Sequence, residues 1–242
     1  MKKDELSQLA KVEESHWWFK ERRELLRLWA AKQSIRLRVL DVGAGVGRQA
    51  ILLQDEFSWN VSAVEYSDFG STACAEQGLH VIKADASELP IEDRAIQAVV
   101  AMDVLEHIVG DEKVLREFCR VLVPGGALFI TVPAFTFLWS AHDEAVDHVR
   151  RYSKKELISK IENAGFKVNS IRYWNSLLFP LAVITRLAGQ NGADLEIPSG
   201  FINRLCSVIV KMERNSKLTG RLPGTSLIVE AQKVHEADLK SI

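Results

Sequence analysis

Between Leu40 and Arg48 the chain reads Asp41-Val42-Gly43-Ala44-Gly45-Val46-Gly47. Three glycines at alternate positions follow a short apolar run, RLRVLDVG (36–43), and precede VGRQAILLQ, a helix candidate. A strand that passes into a helix through such a turn is how α/β nucleotide folds begin. Glycine lets the backbone turn tightly and lets a ligand approach closer than a Cβ would permit. A glycine triplet alone also fits a tight turn with a purely structural purpose. The next acid at a strand end, Glu65, stands 18 positions after Gly47, where a nucleotide fold carries its ribose-binding carboxylate. Together the two features favour a nucleotide site.

Which nucleotide turns on Asp41. A pyrophosphate would lie over the glycine loop and the helix N-terminus, where negative charge is favoured. Here the spacing is GxGxG rather than GxGxxG, and a carboxylate stands two residues before the first glycine. That carboxylate is a poor neighbour for a doubly charged pyrophosphate. It suits a ligand with adenosine at one end and an ammonium-bearing amino-acid group at the other. S-adenosylmethionine has that shape and carries no phosphate.

The rest of the chain alternates strands and helices. WNVSAVEYS (59–67), HVIKAD (80–85), AIQAVVAMD (95–103) and ALFITVPAF (127–135) read as strands, the last two apolar enough to be buried on both faces. Helices are expected over 17–31, 68–78, 111–122 and 153–166. The last has Ser153 and Glu156 in a capping-box pattern and Gly165 as its stop. PGG (124–126) reads as a turn, and VNSIRYW and TSLIVEAQ as the final strands. Such alternation with short turns implies a parallel sheet covered on both faces. Leu177–Gly224 interrupts it with two apolar segments, expected to be helical. The second places Phe201, Ile202, Leu205, Val208 and Ile209 on one stripe, and Pro180 interrupts the first.

Composition bounds the remaining classes. With 31 Lys+Arg against 32 Asp+Glu the net charge is −1, which gives no electrostatic reason to expect a nucleic-acid partner. No apolar run approaches the ~20 residues that span a bilayer, and the charged N-terminus does not resemble a secretory leader. Three cysteines, none in a CxxC pair, point to a reduced cytoplasmic setting without a thiolate metal site.

On HWWFKERR, VLDVGAGVGR, VEYS, KADASELPIED, AVVAMDVLEHI and VLVPGGALFITVPAF, met in that order, the chain resembles the class I S-adenosylmethionine-dependent methyltransferases of the type 11/12 group. The resemblance implies a Rossmann-like, doubly wound, mostly parallel seven-stranded sheet of order 3-2-1-4-5-7-6, with helices on both faces and one antiparallel strand from the last hairpin. It implies that Asp41, Gly43, Gly45 and Gly47 surround the methionine end of the cofactor and that Glu65 holds the ribose hydroxyls. Tyr66 then lies beside the adenine, Asp85 accepts from its amino group and the Ala86 backbone meets its edge. Met102 and Asp103 lie near the transferred methyl. For Asp85 the alternative is a loop cap, and for Tyr66 a packed aromatic. One domain is expected, with an N-terminal helical cap (1–35), a cofactor-binding core (36–176), a helical insertion before the last strand (177–224) and a last strand and tail (225–242).

The expected reaction is methyl transfer from S-adenosylmethionine to a small-molecule acceptor, with an oxygen as the acceptor atom and S-adenosylhomocysteine as product. Such a displacement mainly needs alignment and exclusion of water, and a hydroxyl acceptor gains from a base near neutrality. Asp103, His107 and His142 are the catalytic candidates. They are drawn from Asp103, Glu106 and His107 after the fourth strand and from the cluster HDEAVDH (142–148) after the fifth. That cluster is equally readable as a polar loop capping Arg151 and Tyr152. Asp103-Val104-Leu105-Glu106-His107 resembles a motif with which some O-methyltransferases hold a divalent cation, but it is also widespread in relatives without that role. A structural use is preferred, and no metal is expected. The His16–Phe19 aromatics with Arg22 are either a core-packing helix or a lid over the cofactor. The 177–224 insertion is expected to be an acceptor lid, with a homodimer interface or plain packing as alternatives. Competing functions are a nicotinamide-dependent oxidoreductase on a similar fold, which the glycine spacing disfavours, and a catalytically silent cofactor-binding member.

Overall fold

The computed structural model describes residues 12–33, 36–187, 199–214, 216 and 219–235; parts of the expected cap, insertion and tail lie outside these. Helix α1 (Trp17–Ala30) begins where the His16 side chain accepts from the Trp18 amide at 3.1 Å. It leads to strand β1 (Arg38–Val42), helix α2 (Arg48–Phe57), β2 (Asn60–Glu65), α3 (Asp68–Glu76), β3 (His80–Lys83) and β4 (Ile96–Met102). Then come α4 (Asp111–Val121), β5 (Leu122–Pro133), the short α5 (Ala141–Ala145), α6 (Lys154–Asn163), β6 (Phe166–Trp174), α7 (Phe179–Leu187), α8 (Gly200–Arg214) and β7 (Ser226–Lys233).

The strands form one seven-stranded sheet in the order β3-β2-β1-β4-β5-β7-β6. Strands β1 to β5 run parallel to one another, and β7 runs antiparallel to both β5 and β6. This is the expected order. Side-chain alternation along the buried central strands splits the core into two layers. Leu40, Val42, Val99, Ala101 and Ile130 pack on one face with Leu115 and Phe118 of α4 and with Leu157 and Ile161 of α6. Val39, Ala98, Val100 and Phe129 pack on the other with Leu25, Leu26 and Trp29 of α1 and Leu53 of α2.

Three local expectations need correction. The PGG turn lies inside β5: Leu122 faces Ile96, Ala127 faces Ala98, and the intervening residues form an irregularity with Gly125 at φ +75°. Pro180 does not interrupt a helix; it is the second residue of α7, where the missing N–H leaves no helical bond unmade. The apolar stripe of α8 faces outward, with Phe201, Ile202, Leu205 and Val208 exposed. The helix is held instead by its polar side. Asn203 accepts from the Trp17 amide (2.8 Å), Ser207 donates to Glu21 (2.8 Å) and Arg214 pairs with Glu21 (2.6 Å). An inward apolar face is the default for a surface helix, and here hydrogen bonds to α1 override it. Among the described residues no helix is long and apolar enough to cross a membrane.

Candidate active site

A cavity of about 1500 Å³ opens at the carboxyl ends of β1, β2 and β4. Open α/β sheets bind ligands at this end, beside the point where strand order reverses. One wall is the glycine loop with the ends of β2 and β3, and the opposite wall comes from α1 and α7. Single-ligand pockets are usually ~300–1,000 Å³, so the cavity has room for a cofactor and an acceptor together.

The glycines divide the work. Gly45 (φ +58°) faces the cavity, and a Cβ there would meet no described atom within 4 Å. Its N–H donates to Glu65 at 2.9 Å. The Ser67 amide (3.0 Å) and hydroxyl (2.8 Å) donate to the other Glu65 oxygen, so the carboxylate is held in place before any ligand arrives. Gly47 (φ +84°) packs instead: a Cβ would collide with Leu79 and Cys74 as α2 begins. Gly43, Glu65, Tyr66, Asp85, Ala86, Met102 and Asp103 all line the cavity. Tyr66 stands 74% exposed at the rim and is not a packed aromatic. Asp85 does cap its loop, accepting from the Ser87 amide at 2.7 Å, and also faces the cavity.

Asp41 and Gly47 are not in the wall. The Asp41 carboxylate lies behind the loop, where it accepts from the Ala50 amide in the first turn of α2. Burial pushes its pKa up to about 7, and the Glu13 and Glu65 carboxylates push the same way against the Ala50 amide and Arg22. Neither residue faces the cavity: Asp41 accepts from α2 behind the loop, and Gly47 packs beneath it.

Asp103 takes a left-handed conformation (φ +55°) and is ion-paired with Arg22. Thr131 donates to Asp103 at 2.8 Å and accepts from Arg22 at 3.0 Å. This buried network ties α1 to the ends of β4 and β5, and so makes Trp17, Trp18, Phe19 and Arg22 part of the cavity wall. Trp18 packs on Trp174 with ring centroids 4.5 Å apart.

On a helix the spacing of Asp103, Glu106 and His107 would set all three side chains on one face, but that grouping does not form. Only Leu105–His107 make a helical turn, of the tight 3₁₀ kind, and Asp103 stays with Arg22. Glu106 and His107 are joined instead by His148. The His107 and His148 rings lie 4.7 Å apart, and His148 Nε2 is 3.9 Å from Glu106 Oε1. Burial, then His148, pushes His107 down to about 4, so its imidazole is neutral at neutral pH; the Asp147 backbone carbonyl accepts from it. Burial, then the nearby Asp103, pushes Glu106 well above the usual carboxylate range.

His148 is the residue that sequence reasoning did not select. Asp143 accepts from its Nδ1 (2.9 Å), from Arg151 Nε (2.7 Å) and Nη2 (3.0 Å), and from the Ser140 amide (2.9 Å). Burial raises the Asp143 pKa, but His148 and Arg151 outweigh it and hold the carboxyl well below its usual range. Asp143 five positions before His148, with Arg151 three beyond, was the available signal. His142, the candidate chosen from that cluster, also lines the cavity, with its ring 6.4 Å from that of His148. The cluster therefore fits both earlier readings: it caps Arg151 and faces the ligand space.

Residues 40–130 match the family described as methyltransferase domain. Over 159 residues the chain is 27% identical to a probable S-adenosylmethionine-dependent methyltransferase of Mycolicibacterium smegmatis, a match covering 64% of this chain and 61% of that protein. It is 26% identical over 164 residues to the demethylmenaquinone methyltransferase of Mycobacterium tuberculosis, covering 66% and 68% respectively. Among solved structures it resembles a chain of the complex between the Haloferax volcanii Trm112 methyltransferase activator and a methyltransferase. There the TM-score is 0.64 at 16% identity, over 96% of this chain and 95% of that one, and this likeness speaks for the fold. The chain thus spans about three fifths of the length of the first of these relatives, and the stretch that matches the family contains the glycine loop, Glu65, Asp85 and Asp103. Across these matches the chain is similar to a methyltransferase domain and to proteins named as S-adenosylmethionine-dependent methyltransferases.

Proposed function

We propose that this chain transfers the methyl group of S-adenosylmethionine to a small-molecule acceptor, with oxygen as the acceptor atom. The observation that carries the reading is the continuity of one cavity. It runs from Gly45, Glu65 and Asp85 to a second wall bearing His107, His142 and His148, past Met102 and Asp103. Glu65 holds the ribose hydroxyls, Asp85 and Ala86 meet the adenine, Tyr66 covers it from the rim and the Gly43–Gly45 backbone faces the methionine end. Glu65 already takes three internal hydrogen bonds, and a carboxylate has about four lone-pair sites, so capacity for a ribose hydroxyl remains.

In the transfer, an acceptor lone pair forms the new bond to the methyl carbon as the carbon–sulfur bond breaks. The electron pair goes to sulfur and leaves S-adenosylhomocysteine. The acceptor proton passes to a base on the second wall, where His107 and His142 line the cavity. Asp103, locked to Arg22 and Thr131, shapes the wall near the methyl and does not act as that base. Leu178, Leu181 and Ala182 of the 177–224 insertion close the acceptor end, which supports the lid reading for α7. The outward apolar stripe of α8 remains available for a second copy of the chain.

Glu65→Ala should weaken S-adenosylhomocysteine binding by roughly tenfold to a hundredfold, the worth of a charge-assisted hydrogen bond of about 1.5–3 kcal/mol. An unchanged affinity by calorimetry means the ribose lies elsewhere. Transfer itself is tested with S-adenosylmethionine carrying a labelled methyl, incubated with the protein and a fractionated small-molecule extract. Label in an acidic-hydroxyl product supports the reading. Label on nitrogen or carbon overturns the oxygen assignment, and no turnover despite tight cofactor binding favours a catalytically silent member.

A further inference from the structure

Glu106 has no exposed surface, and neither of its carboxylate oxygens meets a hydrogen-bond donor among the described residues. A buried, unpartnered carboxylate is costly, and native structures pair such groups or place a cation against them. The groups that surround it are suited to a cation. One oxygen of Glu106, one ring nitrogen of His107 and one of His148 lie within 4.8 Å of one another. The Asp147 backbone carbonyl accepts from one nitrogen of the His107 ring, which leaves the other ring nitrogen for a cation. His148 has its Nδ1 on Asp143, which leaves Nε2 directed toward Glu106. A ligating histidine is usually oriented in this way, by a carboxylate or a carbonyl on its second nitrogen.

We propose that Glu106, His107 and His148 bind one divalent cation at the acceptor end of the cavity. Two imidazoles and one carboxylate form a donor set for a first-row divalent metal with coordination positions left open. Bond lengths of about 2.0–2.2 Å require the three donors to draw together slightly around the ion. The open positions face the same cavity as Met102 and Asp103, where the methyl is placed. The cation there takes an acceptor oxygen as a further ligand and lowers its pKa, a task that otherwise falls to a protein base. This role rests on the methyl-transfer reading; the binding itself does not. The metal-free expectation rested on the motif being widespread in relatives without a metal role and on the absence of another clear ligand set; the fold adds His148, 41 positions beyond His107, to Glu106 and His107.

The test uses full-length protein stripped with EDTA, without cofactor or acceptor. Mn²⁺ is titrated and followed by electron paramagnetic resonance and by calorimetry, because manganese avoids the three cysteines. One site per chain is expected, with a Tm that rises with Mn²⁺. Glu106→Gln and His148→Ala should each weaken binding at least tenfold and abolish that rise. Glu106→Gln should fold normally, with a metal-free Tm at or near that of the parent, since it keeps the shape of the buried side chain. The proposal is overturned if Mn²⁺, Zn²⁺ and Mg²⁺ all fail to bind, or if Glu106→Gln binds Mn²⁺ as tightly as the parent. Cation binding without methyl transfer would instead count against the proposed function alone.

Discussion

Asp143→Ala should lower the unfolding free energy by about 3–5 kcal/mol, because it leaves the buried Arg151 guanidinium without its carboxylate. The side chains of Asp143 and Arg151 are 0% and 5% exposed, and the same carboxylate also holds His148 and the Ser140 amide. A loss of that size is a large part of an ordinary stability of about 5–15 kcal/mol. The interaction is also acid-sensitive. The folded carboxyl is held below its ordinary value of about 3.9, so its contribution is fully present above that pH and is lost as pH falls below it. Urea unfolding at pH 7 and near pH 2.5 should therefore show the difference between parent and Asp143→Ala shrinking toward the acid side. A difference below about 1 kcal/mol at pH 7 would mean that Arg151 finds other partners.

Asp41 predicts the opposite pH dependence. Its folded pKa is raised to about 7, against about 3.9 in an unfolded chain. Between those values the folded state takes up a proton that the unfolded state does not, so stability is greatest below about pH 4 and declines as pH rises through 7. A displacement of about 3 units corresponds to roughly 4 kcal/mol across that window. Asp41→Asn keeps an acceptor for the Ala50 amide and removes the charge. It should flatten the decline, leaving the variant more stable than the parent at pH 8 and closer to it at pH 5. Parallel pH profiles for the two proteins would show that Asp41 does not titrate in this range.

Much of the architecture was legible because period and punctuation agreed. Apolar runs bounded by glycine marked β1, β4 and β5, and the Ser153 cap placed α6, its side chain accepting from the Glu156 amide at 3.2 Å. The cofactor wall was legible because its residues are local to strand ends. Gly45, Glu65 and Asp85 need only the parallel order of β1, β2 and β3 to converge. The acceptor wall was not, because His148 reaches Glu106 through a turn and an Arg151–Asp143 pair that no periodicity encodes. Asp103 was misgrouped for a related reason: its left-handed backbone breaks the helical register assumed for Glu106 and His107. The outward face of α8 was illegible for the opposite reason, since its pattern is regular and hydrogen bonds between distant segments decide its orientation.

The central claim is that this cavity is built for an adenosyl ligand with an amino-acid end and not for a pyrophosphate. Calorimetric titration of the full-length protein with S-adenosylhomocysteine, and separately with NAD, measures that directly. One saturable S-adenosylhomocysteine site per chain is expected, weakened by Glu65→Ala, with no heat from NAD. Saturable binding of NAD, together with no binding of S-adenosylhomocysteine, would contradict it.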